Sequence, residues 1–137
     1  MAWKKKGGRS STQKGTRFEN RVRRAFEEKG CAVFRLPREP RCDLIVLAPI
    51  KNINVYGVRL TGEKTDIKIQ PSVPLVIECK TRKYLNPEER QQLKDLKPFA
   101  NVYVAYPEGR EDHKGRTNIV LADPETKEVK MIIRDQM

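Results

Sequence analysis

Glu78 and Lys80 stand two positions apart at the end of the apolar run Leu75-Val76-Ile77. A run without polar alternation reads as a strand covered on both faces. Strand side chains repeat every second residue, so a carboxylate and an ammonium leave this strand on one face. Asp43 opens a second such run, Leu44-Ile45-Val46-Leu47-Ala48, and Glu19 follows Phe18 in a helical pattern. Charges beside a core are costly unless they are paired, solvated or bound to a metal. In one reading Glu78 and Lys80 are a strand-end ion pair and Asp43 is a turn residue. Glu19 then pairs with Arg23 one helical turn on, worth roughly 0.2–0.5 kcal/mol. In the other reading these residues hydrolyse a phosphodiester, which requires neutralising the phosphate and making hydroxide near neutral pH. Asp43 and Glu78 are oxygen ligands suited to a hard Mg2+ ion, with Mn2+ as the alternative and the Cys79 carbonyl as a further oxygen. The ion polarises the phosphoryl oxygen and eases deprotonation of its bound water. Lys80 then orients the attacking water and stabilises developing negative charge.

The surrounding pattern must position these groups. Asp43 ahead of one core strand and Glu78 near the end of another face each other if the strands are antiparallel neighbours. Over Thr16 to Lys29, the residues Phe18, Val22, Ala25 and Phe26 recur at helical spacing, and Gly30 supplies the stop. Arg17, Arg21 and Arg24 form a second stripe, either a solvated face or a track along a phosphate backbone. Cys31 to Leu36 reads as a strand, and Pro37-Arg38-Glu39-Pro40-Arg41 as a stiff basic loop. Residues 48–74 hold two partly alternating stretches around Thr61-Gly62-Glu63-Lys64, which predicts an inserted or extended β-hairpin acting mainly as sheet scaffolding. Thr81-Arg82-Lys83-Tyr84-Leu85 is basic with one aromatic. Asn86-Pro87-Glu88-Glu89 starts a helix, with Asn at the cap, Pro first and acids in the opening turn. Leu93 and Leu96 give it a short apolar face before Pro98. Strands follow at Asn101 to Tyr106, Asn118 to Ala122 and Val129 to Arg134. The order predicts an α/β fold, a central mixed β-sheet flanked by helices.

The chain has 137 residues, enough for one domain with a real core. Its 29 Lys+Arg against 18 Asp+Glu give a net charge of +11, which calls for a polyanionic partner. Residues 1–13 are expected to be a basic flexible tail, carrying Lys4, Lys5, Lys6 and Arg9. There is no apolar run of membrane-spanning length and no signal-peptide pattern, so the expected location is the cytoplasm, with no membrane partner. Cys31, Cys42, Cys79 and the single His113 would all be needed for one four-ligand zinc site, and buried reduced thiols are expected instead.

Asp43, the Glu78-Cys79-Lys80 triplet and a helical Glu19 together resemble the PD-(D/E)XK nuclease superfamily, most closely the archaeal Holliday-junction resolvases. In that family a basic Lys-Gly segment leads into the glutamate-bearing first helix; here it is Lys14-Gly15-Thr16-Arg17-Phe18-Glu19. The helix is followed there by Gly and a strand like Gly30-Cys31-Ala32-Val33-Phe34-Arg35. The resemblance covers roughly Lys14 to Tyr106, most of a proposed nuclease domain at 14–137, and implies a restriction-endonuclease-like core and a Mg2+-dependent endonuclease that cuts branched DNA as a homodimer. It implies that Glu19, Asp43 and Glu78 surround the metal, Glu19 through water, and that Lys80 serves the attacking water. Lys14, Arg17, Arg21, Arg38, Arg41, Arg82 and Lys83 become the expected DNA contacts. Three features depart from the family. Cys42 precedes Asp43 where the family name has proline, Asp43 and Glu78 lie 35 positions apart, and the loop before Asp43 has no serine.

Two other functions fit the same residues. One is a restriction- or repair-type nuclease of the superfamily acting on other DNA structures. The other is a non-catalytic nucleic-acid-binding module whose charges are ion pairs. Tyr103, Tyr106 and the Leu93/Leu96 face are candidates for a dimer surface, and core packing explains them equally.

Overall fold

The computed structural model describes residues 11–36, 43–81, 85–109 and 118–134, with side chains of the first helix from residue 15 onward. The expected DNA contacts Arg38, Arg41, Arg82 and Lys83, and the side chain of Lys14, lie outside the described residues.

The first helix, α1 (Ser11–Glu27), is followed by β1 (Ala32–Arg35) and β2 (Leu44–Leu47). A hairpin of β3 (Ile53–Val58) and β4 (Lys64–Ile69) precedes β5 (Leu75–Cys79). Then come α2 (Pro87–Lys94), β6 (Asn101–Pro107), β7 (Ile119–Ala122) and β8 (Val129–Ile133). All eight strands form one sheet in the order β1-β2-β5-β6-β7-β8-β3-β4. β5 and β6 are parallel, joined through α2, and the other named neighbours are antiparallel. The sheet is therefore mixed, as the sequence predicts.

α1 starts at Ser11, not Thr16, and so takes in three residues expected to belong to the tail. Gly15 lies inside the helix, and among the described residues nothing comes within 4 Å of where a Cβ would sit. Gly30, at φ +97, supplies the left-handed residue that ends the segment.

Helices cover both faces of the sheet. Phe18, Val22 and Phe26 of α1 are completely buried in one core with Leu44, Val46, Leu75, Ile77, Val55 and Met131. Leu93 of α2 packs in a second core with Val76, Val102, Val104 and Tyr106. Val76 thus belongs to one core and its neighbours Leu75 and Ile77 to the other, which is why β5 tolerates an unbroken apolar run. Tyr106 and Leu93 are buried and Tyr103 packs partly against the α1 side, so these dimer-surface candidates serve the core.

The hairpin extends the sheet rather than standing off it. A flat sheet would set β2 and β3 about 24 Å apart, at ~4.8 Å per neighbouring pair. Leu47 and Ile53, which the segment 48–52 joins, are six residue steps apart, about 20–22 Å when extended. The sheet must curl, and it does so around α1: Val55 and Ile69 of the hairpin share its core. Gly57 permits the closure, because a Cβ there would lie 2.5 Å from Met131 Cγ and 2.6 Å from the Ile132 carbonyl oxygen of β8.

Candidate active site

β5 fixes the centre of the site. Leu44 pairs with Ile77 across the β2–β5 ladder, so Asp43 comes opposite Glu78. The Asp43 N–H donates to the Ile77 carbonyl at 3.0 Å. Its carboxylate Oδ2 accepts the Cys79 N–H at 2.7 Å. Asp43 is therefore tied to β5 by backbone and side chain, and β2 and β5 are the antiparallel neighbours on which the facing of Asp43 and Glu78 depends. Glu78 and Lys80 follow Val76 on the strand face that α2 covers.

Lys80 donates its backbone N–H to the Ala105 carbonyl of β6 at 2.9 Å. Its ammonium does not pair with Glu78 as a simple strand-end ion pair would. It lies 2.8 Å from Oε2 of Glu89, on the first turn of α2. Glu89 was not singled out from the sequence, where it reads as a first-turn acid of the helix. Glu89 also completes a capping box with Asn86: its N–H donates to Asn86 Oδ1 at 2.8 Å, and its Oε1 accepts the Asn86 N–H at 3.1 Å.

Glu19 comes to the cluster from α1. The expected partner Arg23 lies 4.0 Å from Glu27 instead. Glu19 Oε1 accepts a hydrogen bond from Arg35 Nε, at the end of β1, at 3.1 Å. The i+4 expectation fails because the half-buried Glu19 has a cation reaching it across the fold. Arg17 and Arg21 are half-buried on α1, and the Arg21 guanidinium sits 5.8 Å from the Phe18 ring centre.

The acids share one electrostatic environment. Burial, then the charge of Asp43, pushes the Glu78 carboxyl up to about 8, with Glu89 and Glu19 adding to the rise and Lys80 opposing it. Asp43 is raised by burial, although the Cys79 N–H and Lys80 act against the rise. Glu19 is raised by burial and by Asp43, against the pull of Arg35. Burial acts to raise Glu89 too, but the hydrogen bonds from Lys80 and Asn86 prevail and hold it below the usual glutamate value.

Among the described residues no three acidic, histidine or cysteine side chains gather closely enough to form a ready-made metal cage. Glu19 is turned to Arg35 and Asp43 to the Cys79 N–H. Two opposed, partly buried carboxylates remain whose repulsion a divalent cation would relieve. Mg2+ commonly takes one or two carboxylates and keeps several waters, so Asp43 and Glu78 suit it without a full cage. Neither Cys31 nor Cys79 is in a disulfide. No helix of the described residues is long and apolar enough to cross a membrane.

No family model matches the chain, and no curated protein matches it. A solved structure similar to it is Archaeoglobus fulgidus Hjc, described as a Holliday junction resolvase from an archaeal hyperthermophile. The two are 26% identical with a TM-score of 0.44, over 68% of this chain and 63% of that one. This chain thus spans less than two thirds of that protein's length.

Proposed function

We propose that this protein is a divalent-metal-dependent DNA endonuclease that cuts branched DNA, four-way junctions foremost, as a homodimer. The observation that carries the reading is Asp43 set opposite Glu78 on paired strands, with Lys80 beside them and Glu19 within electrostatic reach. Asp43 and Glu78 would hold Mg2+ or Mn2+, with the Cys79 carbonyl as a further oxygen and Glu19 acting through water. When bound, the ion supplies charge neutralisation at the phosphate and a more acidic water. Lys80 orients the attacking water and stabilises charge on the phosphoryl oxygens. The water oxygen bonds to phosphorus, one P–O ester bond breaks, and the leaving oxygen departs as a hydroxyl after taking up a proton. The backbone bonds of Asp43 and Lys80 to β5 and β6 hold these groups in register through the step. Arg17 and Arg21, with Lys14, Arg38, Arg41, Arg82 and Lys83, are the basic side chains proposed to track the DNA backbone.

The test is cleavage of four-way junction, flap, duplex and single-stranded DNA side by side, with Mg2+ and with chelator. Paired, symmetric nicks in the junction are expected with Mg2+, and none after Glu78→Ala. Equal cutting of junction and duplex would favour a restriction- or repair-type nuclease. One observation favours a third reading, a non-catalytic nucleic-acid-binding module: Lys80 already has an ionic partner in Glu89. That reading requires no cleavage and no metal binding.

A further inference from the structure

Only the backbone of Lys80 is fixed by the sheet, through its N–H on the Ala105 carbonyl. The ammonium sits at the end of a flexible four-carbon stem. Two pulls act on it. Asp43 and Glu78 attract it, as its lowering effect on both carboxyls shows. Glu89 holds it at 2.8 Å, in a pair that is only about a quarter exposed on either side, 26% and 27%. The Glu89 carboxylate is itself anchored, because Asn86 holds its other oxygen in the capping box. The start of α2 therefore offers Lys80 a fixed anion outside the Asp43–Glu78 pair.

We propose that Glu89 is a positioning residue for Lys80. It keeps the ammonium near the reacting phosphate and stops it from collapsing onto the two carboxylates that a cation needs. The capping box makes this position a property of the α2 N-terminus and not of a mobile side chain. The proposal rests on the nuclease reading for its effect on rate, while the anchoring of Lys80 stands independently of it.

Glu89→Gln separates charge from fold, because Gln at the third helical position still serves a capping box. In the metal-free protein, NMR of the Lys80 side-chain nitrogen is expected to show a slowly exchanging ammonium that becomes fast-exchanging in Glu89→Gln. In cleavage assays kcat is expected to fall about 10- to 100-fold, the scale of an ångström-sized misplacement, with KM unchanged or lower. In a Lys80→Ala background Glu89→Gln should cost nothing more, because the two act as one unit. If Glu89→Gln fails to fold by circular dichroism, Glu89→Asp takes its place with the same expected directions. An unchanged Lys80 exchange rate overturns the proposal whether or not the protein cuts DNA. A kcat equal to or above wild type in Glu89→Gln, where wild type cuts and Lys80→Ala cuts more slowly, also overturns it while leaving the nuclease reading intact. Wild type that cuts none of the four DNAs sinks the nuclease reading instead.

Discussion

Glu78 keeps its proton near neutrality because burial and the Asp43 charge both disfavour the ion. The consequence for stability has a definite sign. Between the ordinary value of 4.5 and the folded value of about 8, the folded chain binds more protons at Glu78 than the unfolded chain does. The stabilising contribution is complete below the ordinary value and is lost as pH rises toward 8. Raised values at Asp43 and Glu19 act in the same direction. Metal-free Glu78→Gln should therefore be more stable than wild type at pH 8.5, by roughly 1–3 kcal/mol after screening by water at this partly exposed site. The difference should close near pH 4.5. Urea unfolding at the two pH values in chelator checks this, and equal stabilities at pH 8.5 would mean the carboxylate is not strained. A bound cation should narrow the gap: about 1.4 kcal/mol of stabilisation at ten times its Kd is expected for wild type and far less for Glu78→Gln. Asp43, Glu78 and Lys80 were legible because strand alternation and pairing decide where such residues point. Glu89 and Arg35 were not. Each lies on a separate element, and only the packing of α2 and β1 against the strand ends brings it to the acids.

Two glycines separate what the elements require from what they tolerate. At Gly57, a methyl group would meet the Ile132 carbonyl oxygen and Met131, so β3 and β8 would have to part. Gly57→Ala should destabilise by about 1–3 kcal/mol, the usual cost of overpacking. Gly15 lies in α1, and no atom of the described residues comes within 4 Å of where a Cβ would sit. Gly15→Ala should stabilise by about 0.5–1 kcal/mol, from helix propensity alone. Thermal unfolding of both variants checks the opposite signs. The strand runs were readable because buried β-strands leave continuous apolar stretches, and the α2 start because Asn86, Pro87 and the acids are local signals. Two features were not. The start of α1 was set too late because its first turns, Ser11 to Arg17, carry no apolar residue and so add nothing to the pattern of Phe18, Val22 and Phe26. The pairing of β3 with β8 joins segments some seventy residues apart, which no short-range pattern encodes; its lone register pair is Val58 with Ile132.

At the scale of the molecule, an acidic cluster sits in a chain of net charge +11. Binding and cutting are therefore expected to draw on different residues. Phosphate contacts by Lys and Arg release counterions, so affinity should fall steeply with salt. With six to ten phosphates contacted, about 10³- to 10⁵-fold is lost between 50 and 200 mM. Near neutral pH the metal-free Glu78 carboxyl already holds its proton, so Glu78→Gln removes no cation and changes little charge at the proposed site. In chelator it should bind a four-way junction at least as tightly as wild type, with the same slope of log affinity against log salt. With Mg2+ restored it should fail to cut, because one of the two opposed carboxylates is gone. Gel-shift titrations at several salt concentrations, run beside a cleavage time course, measure both. A flat salt response would mean that the basic faces are ordinary solvated surface. Weakened binding by Glu78→Gln in chelator would mean that Glu78 supports the shape of the DNA site, and the division of labour between the acid cluster and its basic surroundings would fail.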